Sequence, residues 1–307
     1  MHPALSIIAF TTLSGLGYGL AAVLGLGLLD PAALAGKAAY LIALALIGGG
    51  LLASTLHLGN PQRAWRALSQ WRTSWLSREG VMALATFLPL AWLTVTALFF
   101  HRHQPLAGML TVLGAALTVV STGMIYASLK AIDAWHTPLT PACYLALSLQ
   151  GGALLGTLFA VLGSGGGGQG PAWLALAATA AAWLLKAAWL ARLDRLTPTS
   201  SPESATGLGG IGRVRLFEPP HTNPNYLTRE MGFRVARKHA AKLRRLAFGF
   251  GAVVPALAVA AALAAGFRAP AAGLLAVAVL AQLLGTVIER WLFFAEARHA
   301  MVNFYGG

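Results

Sequence analysis

Eight apolar stretches, each long enough to cross a bilayer as one helix, occupy roughly residues 4–29, 38–58, 80–100, 106–129, 139–162, 171–193, 246–266 and 270–295. A helix rises about 1.5 Å per residue, so ~20 apolar residues match a hydrocarbon core ~30 Å thick. Lipid is therefore the solvent for most of the chain, and the expectation is an all-α polytopic integral membrane protein with eight transmembrane helices. Residues 1–307 form a single membrane domain on this reading. The composition agrees: 57% of residues are hydrophobic and 10% charged, against about 25% charged in soluble domains. Met1–Leu29 lacks the basic start and the small-residue cleavage site of a secretory signal and reads as a retained first span.

The formal net charge of +13 does not indicate nucleic-acid binding, because the charge is segregated by side rather than spread over one face. An even number of spans puts both termini on one side. That side carries 18 of the 22 Lys and Arg, among them Arg63, Arg66, Arg72, Arg78 and Lys130, while Lys37, Arg102 and Arg268 lie opposite. Positive charge is retained on the cytoplasmic face, so both termini and the large loops are expected in the cytoplasm, with the protein in the bacterial cytoplasmic (inner) membrane. Cys143, the one cysteine, excludes an intramolecular disulfide and a protein-held iron–sulfur cluster, which needs about four thiolates.

Pro89 and Pro255 fall inside spans and are expected to kink them. Small residues four apart, as at Gly15 and Gly19 and again at Gly48, Gly49 and Ala53, suit close helix packing. The glycine-rich link 163–170 lacks the Lys-Ser/Thr and preceding strand of a phosphate loop. A cytoplasmic loop, 194–245, is the one large extramembrane element. It ends in a basic amphipathic segment, with Leu227, Met231, Val235 and Leu243 on an apolar stripe, that suits a partner or an anionic lipid surface.

The chemistry concentrates between the second and third spans, in HLGNPQRAWRALSQWRTSWLSREG from His57 to Gly80. Trp65, Trp71, Trp75 and four arginines are ordinary interfacial anchors. His57 and Glu79 differ, because an ionisable group at the inner edge of a span is costly unless it is paired or used. A quinone headgroup needs partners at its carbonyl oxygens and two protons for its two electrons. His57 can bond one oxygen and exchange a proton, while Glu79 relays protons or fixes the imidazole tautomer. The structural alternatives are a helix-end histidine bonded to a carbonyl and a salt bridge from Glu79 to Arg78 or Arg72. Arg72, Arg78 and Trp75 flank the pair and join the candidate quinone site. Tyr126 and Lys130, four apart on one helix face near the same side, can line it or serve as anchors.

His57-Leu58-Gly59, Pro61, Arg63-Ala64, and Ser77 with Glu79 resemble the membrane-anchor subunit family of dimethyl sulfoxide reductase-type molybdoenzymes. The resemblance extends through the eight-span plan. Segments 124–144 (MIYASLKAIDAWHTPLTPACY) and 218–244 (EPPHTNPNYLTREMGFRVARKHAAKLR) are most similar to the branch serving sulfite dehydrogenases. The resemblance implies a quinone (ubiquinone or menaquinone) as the bound redox partner, with the family's quinone-site histidine and glutamate at His57 and Glu79. It also implies an iron–sulfur partner subunit and a molybdopterin catalytic subunit, which hold the metal cofactors. Arg78 beside the glutamate departs from some relatives.

The function expected is a quinone-binding anchor of a cytoplasm-facing molybdopterin oxidoreductase in sulfite oxidation. The alternatives are the anchor of a quinol-oxidising reductase, an anchor without a quinone site, and a secondary transporter. A haem needs facing axial ligands inside spans, and the eight histidines lie at span ends or in loops. Lys186 lies roughly 10 Å of helix rise from the cytoplasmic end of its span, within snorkelling reach, with a proton pathway as the alternative. Gln150 and Gln282 read as interhelical hydrogen-bonding residues, and Glu289, Arg290 and Glu296 as boundary residues.

Overall fold

The computed structural model describes residues 3–56, 60–164, 168–197, 200–215, 217–218, 235–268 and 270–303. It contains eight helices long and apolar enough to cross a membrane, and no strand among the described residues. They are α1 (Leu5–Gly25), α2 (Leu34–Thr55), α3 (Trp75–Phe100), α4 (Pro105–Ala127), α5 (Leu139–Ser164), α6 (Gln169–Asp194), a seventh made of two segments, and α9 (Ala271–Ala295). The seventh runs from α7 (Val235–Phe248) through one π-helical turn (Gly249–Val253) into α8 (Val254–Ala264). Helix α1 packs against α2, α4, α5 and α9. It is the axis of the bundle, with 72% of its most apolar window buried against 28% for α2.

Close backbone approach explains that centrality. A Cβ added to Gly152 of α5 would lie 1.9 Å from the carbonyl carbon of Gly19, so these helices meet backbone to backbone. Gly48 and Gly49 of α2 face open space, contrary to the packing role expected for them. The same four-residue spacing therefore marks an interface on α1 and none on α2.

Threonines in the spans meet the demand that lipid places on polar groups. Thr86, Thr94, Thr111, Thr118, Thr157 and Thr179 each donate to the carbonyl four residues earlier. Gln150 has an interhelical role, as expected: its Nε2 donates to Gly251 O at 2.6 Å. That carbonyl would ordinarily pair with the N–H of residue 255, which is Pro255 and has none. Here the π turn precedes the proline, and a side chain from α5 satisfies the freed carbonyl. Gln282 instead donates to Thr286 within its own helix, at 2.9 Å.

Two span starts differ from the expectation. Helix α3 begins at Trp75, because Ser74 caps it by accepting from Ser77 N, and Glu79 therefore lies inside the helix. The seventh span begins at His239, and the basic stretch from Val235 is its direct continuation. Leu227 and Met231 of the expected stripe lie outside the described residues.

Candidate functional site

A 3-10 helix, Pro61–Gln70, leads from the second span to the third, with proline in its first turn where no N–H is needed. It rests on the start of α3, where Ser77 Oγ donates to Ala67 O and a Cβ on Gly80 would meet Leu68 at 2.9 Å. This docking fixes the first turns of α3 and aims Glu79 into the bundle. Glu79 is 5% exposed and accepts a hydrogen bond from Thr122 of α4. Thr122 Oγ1 also lies 3.1 Å from Thr118 O, and Thr118 meets Thr86, so α3 and α4 share one polar seam.

Tyr126 stands one turn beyond Thr122, and its ring is buried and stacked 5.7 Å from Tyr144 of α5. Trp135, Phe293 and Phe294 close around Tyr126 at centroid distances of 5.3, 5.4 and 5.4 Å. The connection after α4 folds over this aromatic group, since Trp135 Nε1 donates to Phe293 O at 2.9 Å. Arg192 of α6 holds the same connection by donating to Asp133 O at 2.9 Å. Within segment 124–144 the connection from α4 to α5 thus closes over an aromatic cluster built from both helices and α9.

The other candidate residues are arranged differently. Arg78 does not pair with Glu79: its guanidinium donates to Trp71 O (3.0 Å) and Arg72 O (2.7 Å) and stacks 4.3 Å from the Trp75 ring. Arg72 is exposed beside Trp71, and Lys130 is exposed in the connection after α4. The structure therefore brings Glu79 and Tyr126 together inside, while Arg72, Trp75 and Arg78 form a collar outside. His57 lies outside the described residues. No group of three or more His, Cys, Asp or Glu side chains among the described residues is placed to hold a metal ion.

A second buried charged group lies across the bundle. Lys186 Nζ of α6 pairs with Glu289 Oε1 of α9 at 2.6 Å, and Arg290 Nε with Glu289 Oε2 at 2.6 Å. Lys186, Glu289 and Arg290 are 3%, 1% and 2% exposed. Lys186 therefore does not snorkel and Glu289-Arg290 is not a boundary pair. The reason is the local partner: a carboxylate at contact distance replaces the water that the ammonium would otherwise reach for. Lys186 also stacks 3.8 Å over Trp189, and Arg290 lies 3.8 Å from the Tyr144 ring centroid. These contacts were invisible to sequence reasoning, which cannot pair residues so far apart in the chain. Charged residues well inside spans were the available signal.

Comparison with known proteins agrees with this architecture. The family model described as DMSO reductase anchor subunit (DmsC) matches residues 1–187. The chain is 33% identical to a sulfite dehydrogenase subunit of Allochromatium vinosum, over 99% of both proteins. It is 30% identical to one of the polypeptides of the anaerobic dimethyl sulfoxide reductase of Escherichia coli, over 37% of this chain and 40% of that one. No solved structure matches.

Proposed function

Because the chain belongs to the DMSO reductase anchor subunit family and is a multi-pass membrane anchor, we propose that it is the quinone-reactive subunit of a molybdopterin oxidoreductase. In this reading it passes electrons between an iron–sulfur partner and the quinone pool. The observation that carries the proposal is Glu79, a carboxyl buried in a span, hydrogen-bonded by Thr122 and forming no ion pair among the described residues. Such a carboxyl can change protonation without breaking a salt bridge, which suits it to proton exchange with a redox ligand. Tyr126 presents an aromatic wall on the same seam, and the 3-10 helix Pro61–Gln70 is anchored against α3 next to Glu79.

On this reading His57 and Glu79 are the residues that would hold a quinone headgroup. When bound, it would supply the two-electron chemistry. His57 would hydrogen-bond a carbonyl oxygen, Glu79 would deliver or accept the proton, and the aromatic cluster around Tyr126 would keep bulk water from the inner side. Molybdenum and iron–sulfur clusters belong to the partner subunits, and this protein contributes placement and proton handling. Sulfite is the favoured donor, because the match to the sulfite dehydrogenase relative runs end to end, whereas only 37% of the chain matches the dimethyl sulfoxide reductase relative. The net reaction is then sulfite plus water plus quinone to sulfate plus quinol. The positive charges on the side of the termini support a cytoplasmic position for the partners and a bacterial inner-membrane location.

The test uses the purified complex carrying His57→Ala or Glu79→Gln. Quinone-linked turnover is expected to fall about 100-fold or more, the usual size of a lost acid–base group, while sulfite oxidation with an artificial dye stays at the wild-type rate. Equal quinone-linked turnover in wild type and both variants overturns the assignment.

A further inference from the structure

Thr122, which bonds Glu79, and Arg290 line one small cavity together with Thr12, Ser14, Tyr144 and Ser148, among others. Its volume, about 20 Å³ at the centres of water-sized spheres, exceeds the ~10–15 Å³ that one ordered water requires. Three buried atoms from its lining, Thr12 Oγ1, Tyr144 Oη and Arg290 Nη1, make no hydrogen bond of ordinary geometry among the described residues, although Tyr144 and Arg290 lie within reach of one another. The Glu79 carboxyl thus reaches this lining through its bond from Thr122.

Charge makes the arrangement specific. Lys186 and Arg290 face a single carboxylate, Glu289, so the three groups carry one positive charge more than they neutralise. An uncompensated charge at this depth is costly, and among the described residues of the spans Glu79 is the other buried carboxylate. Among the described residues, the other ionisable groups around Glu79 are Tyr18 on α1, Tyr126 on α4 and Tyr144 on α5. None of the three tyrosines brings a charge that would balance the excess.

We propose that Arg290 belongs to the quinone site as a positioning residue: through an ordered water bonded to Arg290 and Tyr144, it is the buried counter-charge of ionised Glu79. The inference rests on the assignment of Glu79 to the quinone site. It gives the carboxylate a balanced state when its proton has been handed to the quinone. It also gives α9 a part in a site that otherwise uses the second to fourth spans.

The experiment compares pH profiles of quinone-linked turnover in the intact complex. Arg290→Gln and Lys186→Gln each remove one positive charge and leave a neutral ion pair behind, whereas Arg290→Lys keeps the charge. The limb of the profile that disappears in Glu79→Gln is expected to move up by roughly one pH unit in both glutamine variants. Removing a nearby cation makes the carboxyl hold its proton more tightly. Arg290→Lys keeps the limb near its wild-type position, and dye-linked turnover is unchanged throughout. If Arg290→Gln does not assemble, Lys186→Gln carries the same test. Glutamine profiles that overlay wild type, with the limb still lost in Glu79→Gln, overturn the counter-charge role alone. Wild-type turnover and profile in Glu79→Gln overturn both this inference and the site assignment beneath it.

Discussion

Lys186 and Glu289, one on α6 and the other on α9, meet at 2.6 Å with side chains 4% and 1% exposed. The two helices they belong to are otherwise bridged through α5 and α8, so the pair is an ionic tie across the bundle. Its value lies less in net stability than in what its loss would expose. Removing one partner of a buried pair leaves an uncompensated charge, at about 3–5 kcal/mol.

Glu289→Gln is therefore expected to be the most damaging conservative substitution in the spans, because it strands two cations, Lys186 and Arg290. The thermal midpoint of the purified complex should drop sharply, together with the yield of assembled complex. A midpoint equal to wild type would show that the ammonium finds water and that the pair is not closed.

Arg244 offers the contrast. It pairs with Asp194 at 2.9 Å and Glu296 at 2.7 Å but is 22% exposed, and Asp194 is 59% exposed. Arg244→Ala should cost on the order of 1 kcal/mol, and the loss should shrink further in high salt. Thermal midpoints in low and high salt check this; a loss comparable to that of Glu289→Gln would contradict it.

Gly152→Val tests the backbone contact between α1 and α5. With a carbonyl carbon 1.9 Å from the added Cβ, the helices must separate, and the cost should reach or exceed the upper end of the usual ~1–3 kcal/mol for overpacking. Gly48→Val, into open space, should leave the midpoint nearly unchanged. Comparable losses in the two variants would show that the four-residue spacing, not the contact, governs packing.

Orientation is open to chemical labelling. In a Cys143→Ser background, cysteines are placed at Ser204, in the loop after α6, and at Gln169, at the opposite end of α6. A membrane-impermeant thiol reagent on intact cells should label position 169 and spare 204. The reverse pattern would put the partners outside the cytoplasm and favour an exported reductase.

The eight spans were legible because hydropathy is a local property and lipid demands it continuously. The start of α3 was not, because Trp75-Leu76-Ser77-Arg78-Glu79 reads as a polar approach until the Ser74 cap and the contact with Ala67 show it to be helix. Glu79 could be singled out from its position at a span edge, although its partner Thr122 comes from a different helix. From sequence Lys186 reads as a snorkelling side chain or a proton-pathway residue, because Glu289 is remote in the chain and close only in space. Gln150 was legible as a polar residue needing a partner, but the carbonyl it satisfies follows from Pro255 and the π turn together.

That turn has a geometric consequence. One residue advances an α-helix by about 100°, so an added or deleted residue within Gly249–Val253 would rotate the preceding basic helix by that angle against the part fixed by Gln150. Arg244 would swing away from Asp194 and Glu296, and the cationic face would address a different azimuth of the membrane surface. The π turn is in this sense a phase setter, coupling an irregularity inside the lipid to the direction in which α7 presents its charge.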